Sequence, residues 1–304
     1  MPEGHSIHRL ARQFGDVFLG ERLAVSSPQG RFAQGAALLD GHLLTGSDAH
    51  GKHLFLEFEH GLLLHVHLGL YGAWNFGGDA TFRGASSIGA PRKVGEQEIL
   101  GDSSGPDAPA GPYAGPPDPV GAVRVRLAGS HGWADLRGAT TCEVITASEG
   151  AAVTARLGPD PLRNRSGDQE AFVAGVRARR TPLAALLMDQ KVVAGVGNVY
   201  RAELLFRQRL DPWLAGKALS ADAARLLWDD AVAMMSDGVR HGRIITTPAR
   251  YWSSGRQGGG LPAAEEAHFV YRRQGLACRD CGTAVALTDL GARKLYWCPA
   301  CQQA

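Results

Sequence analysis

Two hydrophobic rhythms follow one another in the first half of the chain. Ile7, Leu10, Ala11 and Phe14 share one face at a period of about 3.6 residues, which predicts an opening amphipathic helix. Strand patterns come next. Leu54, Leu56 and Phe58 alternate with Phe55, Glu57 and Glu59. His60-Gly61 reads as a turn, and Leu62, Leu64, Val66 and Leu68 then alternate with Leu63, His65 and His67. Val123 to Leu127 alternates as cleanly. Such alternation predicts half-buried strands with one wet face, so His65 and His67 are expected in solvent. Between these strands, residues 84–119 are rich in Gly, Pro, Ser and Asp. That composition cannot bury enough apolar surface to offset its ordering entropy, so a disordered insert within one domain is expected.

After residues 148–161, which read as a boundary, the rhythm turns helical. Helices are expected around Phe172–Val176, Leu183–Met188, Asn198–Gln208 and Ala221–Met235. Residues 242–262 read as a long loop, and the last segment is short and rich in cysteine. The plan is an α+β multidomain protein, with a mostly β part over 1–147, a helical part over 148–264 and a small module over 265–304.

Composition changes this picture little. A chain of 304 residues can build a sizeable core, and its net charge of +2 does not announce a polyanion binder. Local charge says more: from Pro161 to Leu210 nine cations face four acids, and from Tyr271 onward five face two. Two basic regions suggest a one-sided contact with a polyanion, although a solvated arginine-rich face would look the same. The chain has no apolar run long enough for a bilayer and does not open on a basic stretch leading into an apolar one, so a cytosolic setting is expected.

The strongest chemical signal is Cys278-Arg279-Asp280-Cys281 followed by Cys298-Pro299-Ala300-Cys301, with sixteen residues between the pairs. Two such thiolate turns can close a tetrahedron around Zn2+, and the metal would fold a module too small for a core of its own. Disulfides are the weaker reading in a reducing compartment. Between the pairs, residues 291–297 have the composition of a hairpin with a glycine turn and a cationic tip. Cys142 stands alone and reads as an ordinary buried thiol. Gly195-Val196-Gly197-Asn198 leads into a helix, a turn that offers N–H groups to an anion, with Arg201 one turn further on. Pro2-Glu3 has a plain reading as a helix start, with proline at the first helical position and an acid in the first turn.

Four motifs occur in a telling order: Pro2-Glu3-Gly4 at the start, Gly51-Lys52-His53 before a strand, Gly195-Val196-Gly197-Asn198-Val199-Tyr200, and a four-cysteine finger with Arg293 five residues before its third cysteine. Together they resemble the formamidopyrimidine-DNA glycosylase and endonuclease VIII family of base-excision repair, over the whole chain apart from residues 84–119. The resemblance implies an N-terminal β-sandwich with a leading helix, then a helix-two-turn-helix domain with a zinc finger, with damaged DNA in the cleft between. A monomeric, nucleoid-associated cytoplasmic enzyme is expected, and the insert over residues 84–119 is a candidate surface for another repair protein. The resemblance also implies that Pro2, freed of Met1, is the nucleophile, that Glu3 moves protons at the sugar, and that Lys52 and Arg293 serve β,δ-elimination. Asn198 and Arg293 would hold the DNA backbone.

Leu68-Gly69-Leu70-Tyr71-Gly72 looks like the void-filling loop of endonuclease VIII. Formamidopyrimidine-type enzymes have methionine at the position of Leu70 and an arginine and phenylalanine after an aspartate in a later loop. Here that stretch reads Asp135-Leu136-Arg137-Gly138-Ala139, without the phenylalanine. Both departures point to the endonuclease VIII branch, of actinobacterial type, and to oxidised pyrimidines. On sequence alone Leu70 and Tyr71 would be core residues. His5 stands where proline or an acid is commoner in the family. An oxidised-purine glycosylase and a non-catalytic zinc-finger binder of nucleic acid remain alternatives.

Overall fold

A computed structural model of the chain describes residues 2–90, 113, 115–253 and 260–303. It divides into two units, Met1–Ala155 and Arg156–Ala304. The first opens with α1 (Gly4–Phe18), followed by β1 (Ala24–Ser26), α2 (Ala33–Leu39), β2 (Leu44–His50), β3 (His53–Phe58), β4 (Leu62–His67), β5 (Ala73–Gly78), β6 (Ser87–Gly89), β7 (Val123–Ala128), β8 (Gly132–Arg137), β9 (Thr141–Thr146) and α3 (Ala147–Thr154). The strands form two antiparallel sheets, ordered β1-β7-β8-β5-β6 and β2-β3-β4-β9.

The inner faces of both sheets share one core with α1. Ile7, Leu10 and Phe14 of the predicted helical face are buried there with Leu54, Leu56, Leu64, Val66, Val125 and Leu127. Phe14 meets Trp74 edge-on at 4.8 Å and Phe76 at 5.1 Å, so one helical side chain joins α1 to β5.

Two expectations need correction. The insert begins later than its composition suggests, because Ser87–Gly89 pairs with β5 and Ala85 and Ile88 are buried in the core. Residues 91–112 and 114 lie outside the described residues. His65 is not on a wet face either. It is buried, because Phe55 stacks on its ring at 4.9 Å and Glu143 of β9 bonds to it. The outer face of β3 and β4 is therefore partly covered by its own side chains.

The second unit contains α4 (Asp168–Arg177), α5 (Leu183–Leu186), α6 (Asn198–Arg207), α7 (Ala221–His241) and the hairpin β10 (Ala286–Leu290) and β11 (Arg293–Trp297). Ser220 caps α7 by accepting from the Ala223 N–H at 3.1 Å. Phe172, Leu204, Leu205, Leu227 and Trp228 pack into one core that also takes Leu295 of β11. A second cluster joins Ala202 and Phe206 of α6 to Phe269, Val270, Tyr296, Cys278 and Cys298. The cysteine module therefore shares its apolar interior with the back of α6.

Within that interface lies Glu203, fully buried on α6. Its carboxylate accepts from the backbone N–H groups of Phe269 (2.8 Å), Val270 (2.9 Å) and Tyr271 (2.8 Å) and from the Thr246 hydroxyl (2.5 Å). Glu203→Ala would leave three backbone donors buried without that acceptor. It should destabilise the second unit by at least about 3 kcal/mol, read as a lower urea midpoint.

Candidate active site

Helix α1 starts at Gly4, so Pro2 is not at the first helical position and Glu3 is not in the first turn. Glu3 is the residue before the helix, with extended backbone (φ −123°, ψ −178°), and its side chain makes no cap bond. Its carbonyl accepts from the Ser6 N–H at 3.0 Å. Its side chain is fully buried, and Pro2 is buried as well. Glu3 thus opens the helix through its backbone, while its buried side chain does not serve as the cap. His5 is buried beside them, with Nε2 3.2 Å from the Ser6 hydroxyl. Burial first, and then the charge of Arg9, pushes its imidazole down to a pKa of about 3, so it stays neutral.

Lys52 sits at a hairpin tip. His50 of β2 pairs with His53 of β3, leaving Gly51 and Lys52 as a two-residue turn. Gly51 has φ +58°, and a positive φ at the first turn residue alone is the glycine-led arrangement that matches strand twist. The side chain of Lys52 is half-buried. Behind it, His53 Nδ1 lies 2.9 Å from His65 Nε2, and His65 Nδ1 lies 2.9 Å from Glu143 Oε1. Burial, then the charges of His67, His65, His50 and Lys52, lowers the pKa of His53 to about 3. His67 Nδ1 accepts from the Gly69 N–H at 3.2 Å, which leaves the ring proton on Nε2.

The Gly69 turn carries Leu70 and Tyr71 outward. Leu70 is half-buried, and Tyr71 is 81% exposed, so the core reading of these two side chains is overturned. Nearby on β8, Asp135 is buried in a two-bond ion pair with Arg126 (2.7 and 2.8 Å), and Arg137 bonds to the Asn75 side chain and the Val120 carbonyl.

In the second unit, Asn198 is the first residue of α6 and is buried. Its Nδ2 donates to the Lys294 carbonyl at 3.0 Å, and its Oδ1 accepts from Arg201. Arg201, expected at an anion site, is instead 1% exposed and donates to the same Lys294 carbonyl at 3.0 Å. These bonds lock the β11 backbone next to Arg293 onto the first turn of α6. Arg293 itself opens β11 opposite Leu290, after the two-residue turn Gly291-Ala292, with Gly291 at φ +60°. Other cations of the basic stretch are also internally engaged: Arg207 pairs with Asp230 at 2.7 Å, and Arg209 pairs with Asp280.

The four finger cysteines converge, their sulfurs all within 4.8 Å of one another. Cys278 Sγ is 3.9 Å from Cys301 Sγ, and Cys281 Sγ is 3.5 Å from Cys298 Sγ. A tetrahedral Zn2+ with thiolates at about 2.3 Å implies sulfur–sulfur edges of about 3.8 Å, so the donor set fits that ion. Gln302 braces the site, accepting from the Cys298 N–H at 2.9 Å and donating to the Leu210 carbonyl at 3.1 Å. Cys142 lies apart, its thiol pushed by burial up to about 12.

Comparison with known proteins agrees with this arrangement. Residues 1–109 match the formamidopyrimidine-DNA glycosylase N-terminal domain, and residues 157–249 match the formamidopyrimidine-DNA glycosylase H2TH domain. Endonuclease 8 1 of Mycobacterium tuberculosis is 41% identical over 99% of this chain and 100% of its own length. The chain belongs to the formamidopyrimidine-DNA glycosylase and endonuclease VIII family. Its members are DNA glycosylases with AP lyase activity. Formamidopyrimidine-DNA glycosylase of Thermus thermophilus is 30% identical over 99% of this chain and 98% of its own length. The crystal structure of the MutM (Fpg) protein from Thermus thermophilus superposes with a TM-score of 0.70, covering 99% of this chain and 98% of that one, at 25% identity. Lactococcus lactis Fpg in complex with abasic-site DNA has the same fold, with a TM-score of 0.71 at 19% identity over 99% of this chain and 100% of that one.

Within this family fold, three features escaped the sequence: the His53–His65–Glu143 chain, the Arg201 bracket and the Glu203 hub. Each depends on bonds between residues distant in sequence. Only the strict alternation of histidines at 65 and 67 hinted at the first.

The neutral histidines make stability depend on pH. The pKa of His5, about 3 when folded, lies below its ordinary 6.5, so between those values the unfolded chain binds a proton that the folded chain refuses. Its stabilising contribution is complete above pH 6.5 and is lost as pH falls toward 3. The slope is at most about 1.4 kcal/mol per pH unit for each such group. Urea midpoints should fall between pH 7 and pH 5, and His5→Gln should flatten that fall by about half, since His53 acts in the same direction.

Proposed function

We propose that this chain is a bifunctional DNA glycosylase and AP lyase that removes oxidised pyrimidines and cleaves the strand by β,δ-elimination. The observation that carries this reading is the state of Pro2 and Glu3. They precede α1, both are buried, and the Glu3 side chain does not cap the helix. This supports a role for the buried Glu3 carboxyl beside Pro2 other than capping the helix.

With Met1 removed, Pro2 is a secondary amine. An α-amine has a pKa of about 8, so a substantial neutral fraction is present at physiological pH. The amine attacks C1′ of the damaged nucleotide and the base leaves, while Glu3 protonates the sugar ring oxygen. The resulting iminium acidifies the 2′ hydrogen, whose loss expels the 3′ phosphate, and a second elimination releases the 5′ phosphate. Lys52 and Arg293 are the cations for the phosphates that flank and leave the sugar. Both are offered at glycine-led hairpin tips, which is consistent with a reach toward a backbone. Asn198 keeps one amide hydrogen for a DNA phosphate after its bond to Lys294.

The target base must leave the duplex, and the gap needs a filler. Leu70 and the exposed Tyr71 suit that part, and Arg137, engaged with Asn75 and Val120, does not. This supports pyrimidine over purine lesions, as does the higher identity to an Endonuclease 8 than to formamidopyrimidine enzymes. The four cysteines would hold one structural Zn2+, which stabilises the finger carrying Arg293. The partner is damaged DNA met by a monomer in the cytoplasm, at the nucleoid. No helix among the described residues is long and apolar enough to cross a membrane. The part of the insert beyond Gly89 is a candidate surface for another repair protein.

Incubation with a duplex containing an oxidised pyrimidine, followed by borohydride, should give a covalent adduct at the N-terminal peptide. Pro2→Gly should weaken the adduct, and Glu3→Gln should reduce base release by at least about a hundredfold. An adduct formed only with an oxidised-purine duplex would move the substrate class. No adduct on any damaged or abasic duplex, with a free N-terminal proline verified, would overturn the enzymatic reading. Elemental analysis should find a single zinc per chain, and Cys298→Ser should lose it together with strand cleavage.

A further inference from the structure

On the outer face of the four-stranded sheet, three titratable side chains from three strands are bonded in series. Glu143 of β9 stands opposite His65 of β4, and His65 is diagonal to His53 of β3. The two links, Glu143 Oε1 to His65 Nδ1 and His65 Nε2 to His53 Nδ1, are both 2.9 Å. Phe55 stacks on His65 at 4.9 Å with the rings 10° apart, shielding the middle of the series. The far end is open, since the Glu143 side chain is 52% exposed. The near end is His53, directly after Lys52 in the chain.

Valence sets the proton positions. An ionised carboxylate only accepts, so His65 carries its proton on Nδ1. A neutral His65 then has a bare Nε2, which must accept from His53 Nδ1–H. His53 is left with an unprotonated Nε2. Burial, and then the groups facing it (His67, His65, His50 and Lys52), oppose a positive charge on His53. This end therefore cannot store a proton as an imidazolium, but it can pass one along.

We propose that His53, His65 and Glu143 form a proton relay that serves the elimination steps beside Lys52. The proposal rests on the lyase reading above. A proton taken up at His53 Nε2 pushes the Nδ1 proton onto His65 Nε2, and the His65 Nδ1 proton moves to Glu143, which yields it to water. One proton enters and one leaves, three N–H or O–H bonds form as protons move down the series, and no imidazolium persists. A proton returning from water through Glu143 resets both rings, and the proton held on His53 Nε2 passes to the departing phosphate oxygen, so the series takes up one proton and gives one back. His65 and Glu143 are positioning residues, because they act through His53.

Two measurements on the full-length protein test the relay. In the first, imidazole 15N NMR of histidine-labelled protein should show Nδ1–H tautomers for both His53 and His65. Glu143→Leu, a change at a half-exposed site, should convert both to Nε2–H. Wild-type rings in the Nε2–H form would overturn the relay whatever the activity. In the second, strand cleavage of a preformed abasic duplex is compared with borohydride trapping. Glu143→Leu should slow cleavage about tenfold while trapping changes less than about twofold. Free imidazole should restore cleavage to His53→Gly. Equal slowing of trapping and cleavage, or unchanged cleavage, would overturn it. Absence of trapping in the wild-type protein would instead sink the lyase reading, and with it the relay's catalytic role, while leaving the tautomer result standing.

Discussion

A single buried carboxylate governs how the second unit is put together. Glu203 accepts three consecutive backbone N–H groups, from Phe269 to Tyr271, and the Thr246 hydroxyl. A charge with no solvent contact is costly unless its acceptor sites are filled, and here they are filled by the chain segment that leads into the finger. That segment cannot drift from α6 without uncovering the charge. The cysteine module, too short for a core of its own, borrows one from α6 through Phe206, Phe269 and Tyr296. The same helix begins with Asn198 and Arg201, which together hold the Lys294 carbonyl. The position of Arg293 thus follows from α6 twice over: Glu203, in its middle, sets the approach of the finger, and Asn198 with Arg201, in its first turn, sets its tip.

The first unit shows a different constraint, two histidines held neutral near its candidate residues. His5 beside Pro2 and His53 beside Lys52 are both held neutral, chiefly by burial. Two histidinium ions there would depress the basicity of nearby amines. Neutral rings offer hydrogen-bonding atoms without that penalty.

The fold was legible wherever the chemistry was local. The face of Ile7, Leu10 and Phe14 is the core face of α1, and the two Cys-x-x-Cys turns meet as four converging sulfurs. Reading failed where a residue's environment is supplied from far along the chain. His65 reads as solvent-facing from alternation alone, yet Glu143 and Phe55 enclose it. Arg201 reads as an anion ligand from its place after a glycine turn, yet a carbonyl 93 residues away captures it. Tyr71 reads as core from its bulk, yet the Gly69 turn sends it out. Composition misplaced the start of the insert because the Ser87–Gly89 strand is short and its one large apolar residue is Ile88. Pro2, Lys52, Asn198 and Arg293 are candidates that the sequence offers through motifs, because each stands in a short run of characteristic spacing.

The two glycine-led hairpins also constrain how this chain can change length. Each has two residues between paired strand ends, and strand side chains alternate faces residue by residue. A single added residue at either tip would reverse the parity of everything beyond it unless a bulge absorbed the shift, sending inward-facing Leu54 and Leu56, or Leu295, to the opposite side. These tips are therefore places where insertion is penalised at once. The connection from β6, at a sheet edge, to β7, within the sheet, has no such register to keep. Extra sequence can accumulate there without disturbing a described strand pair.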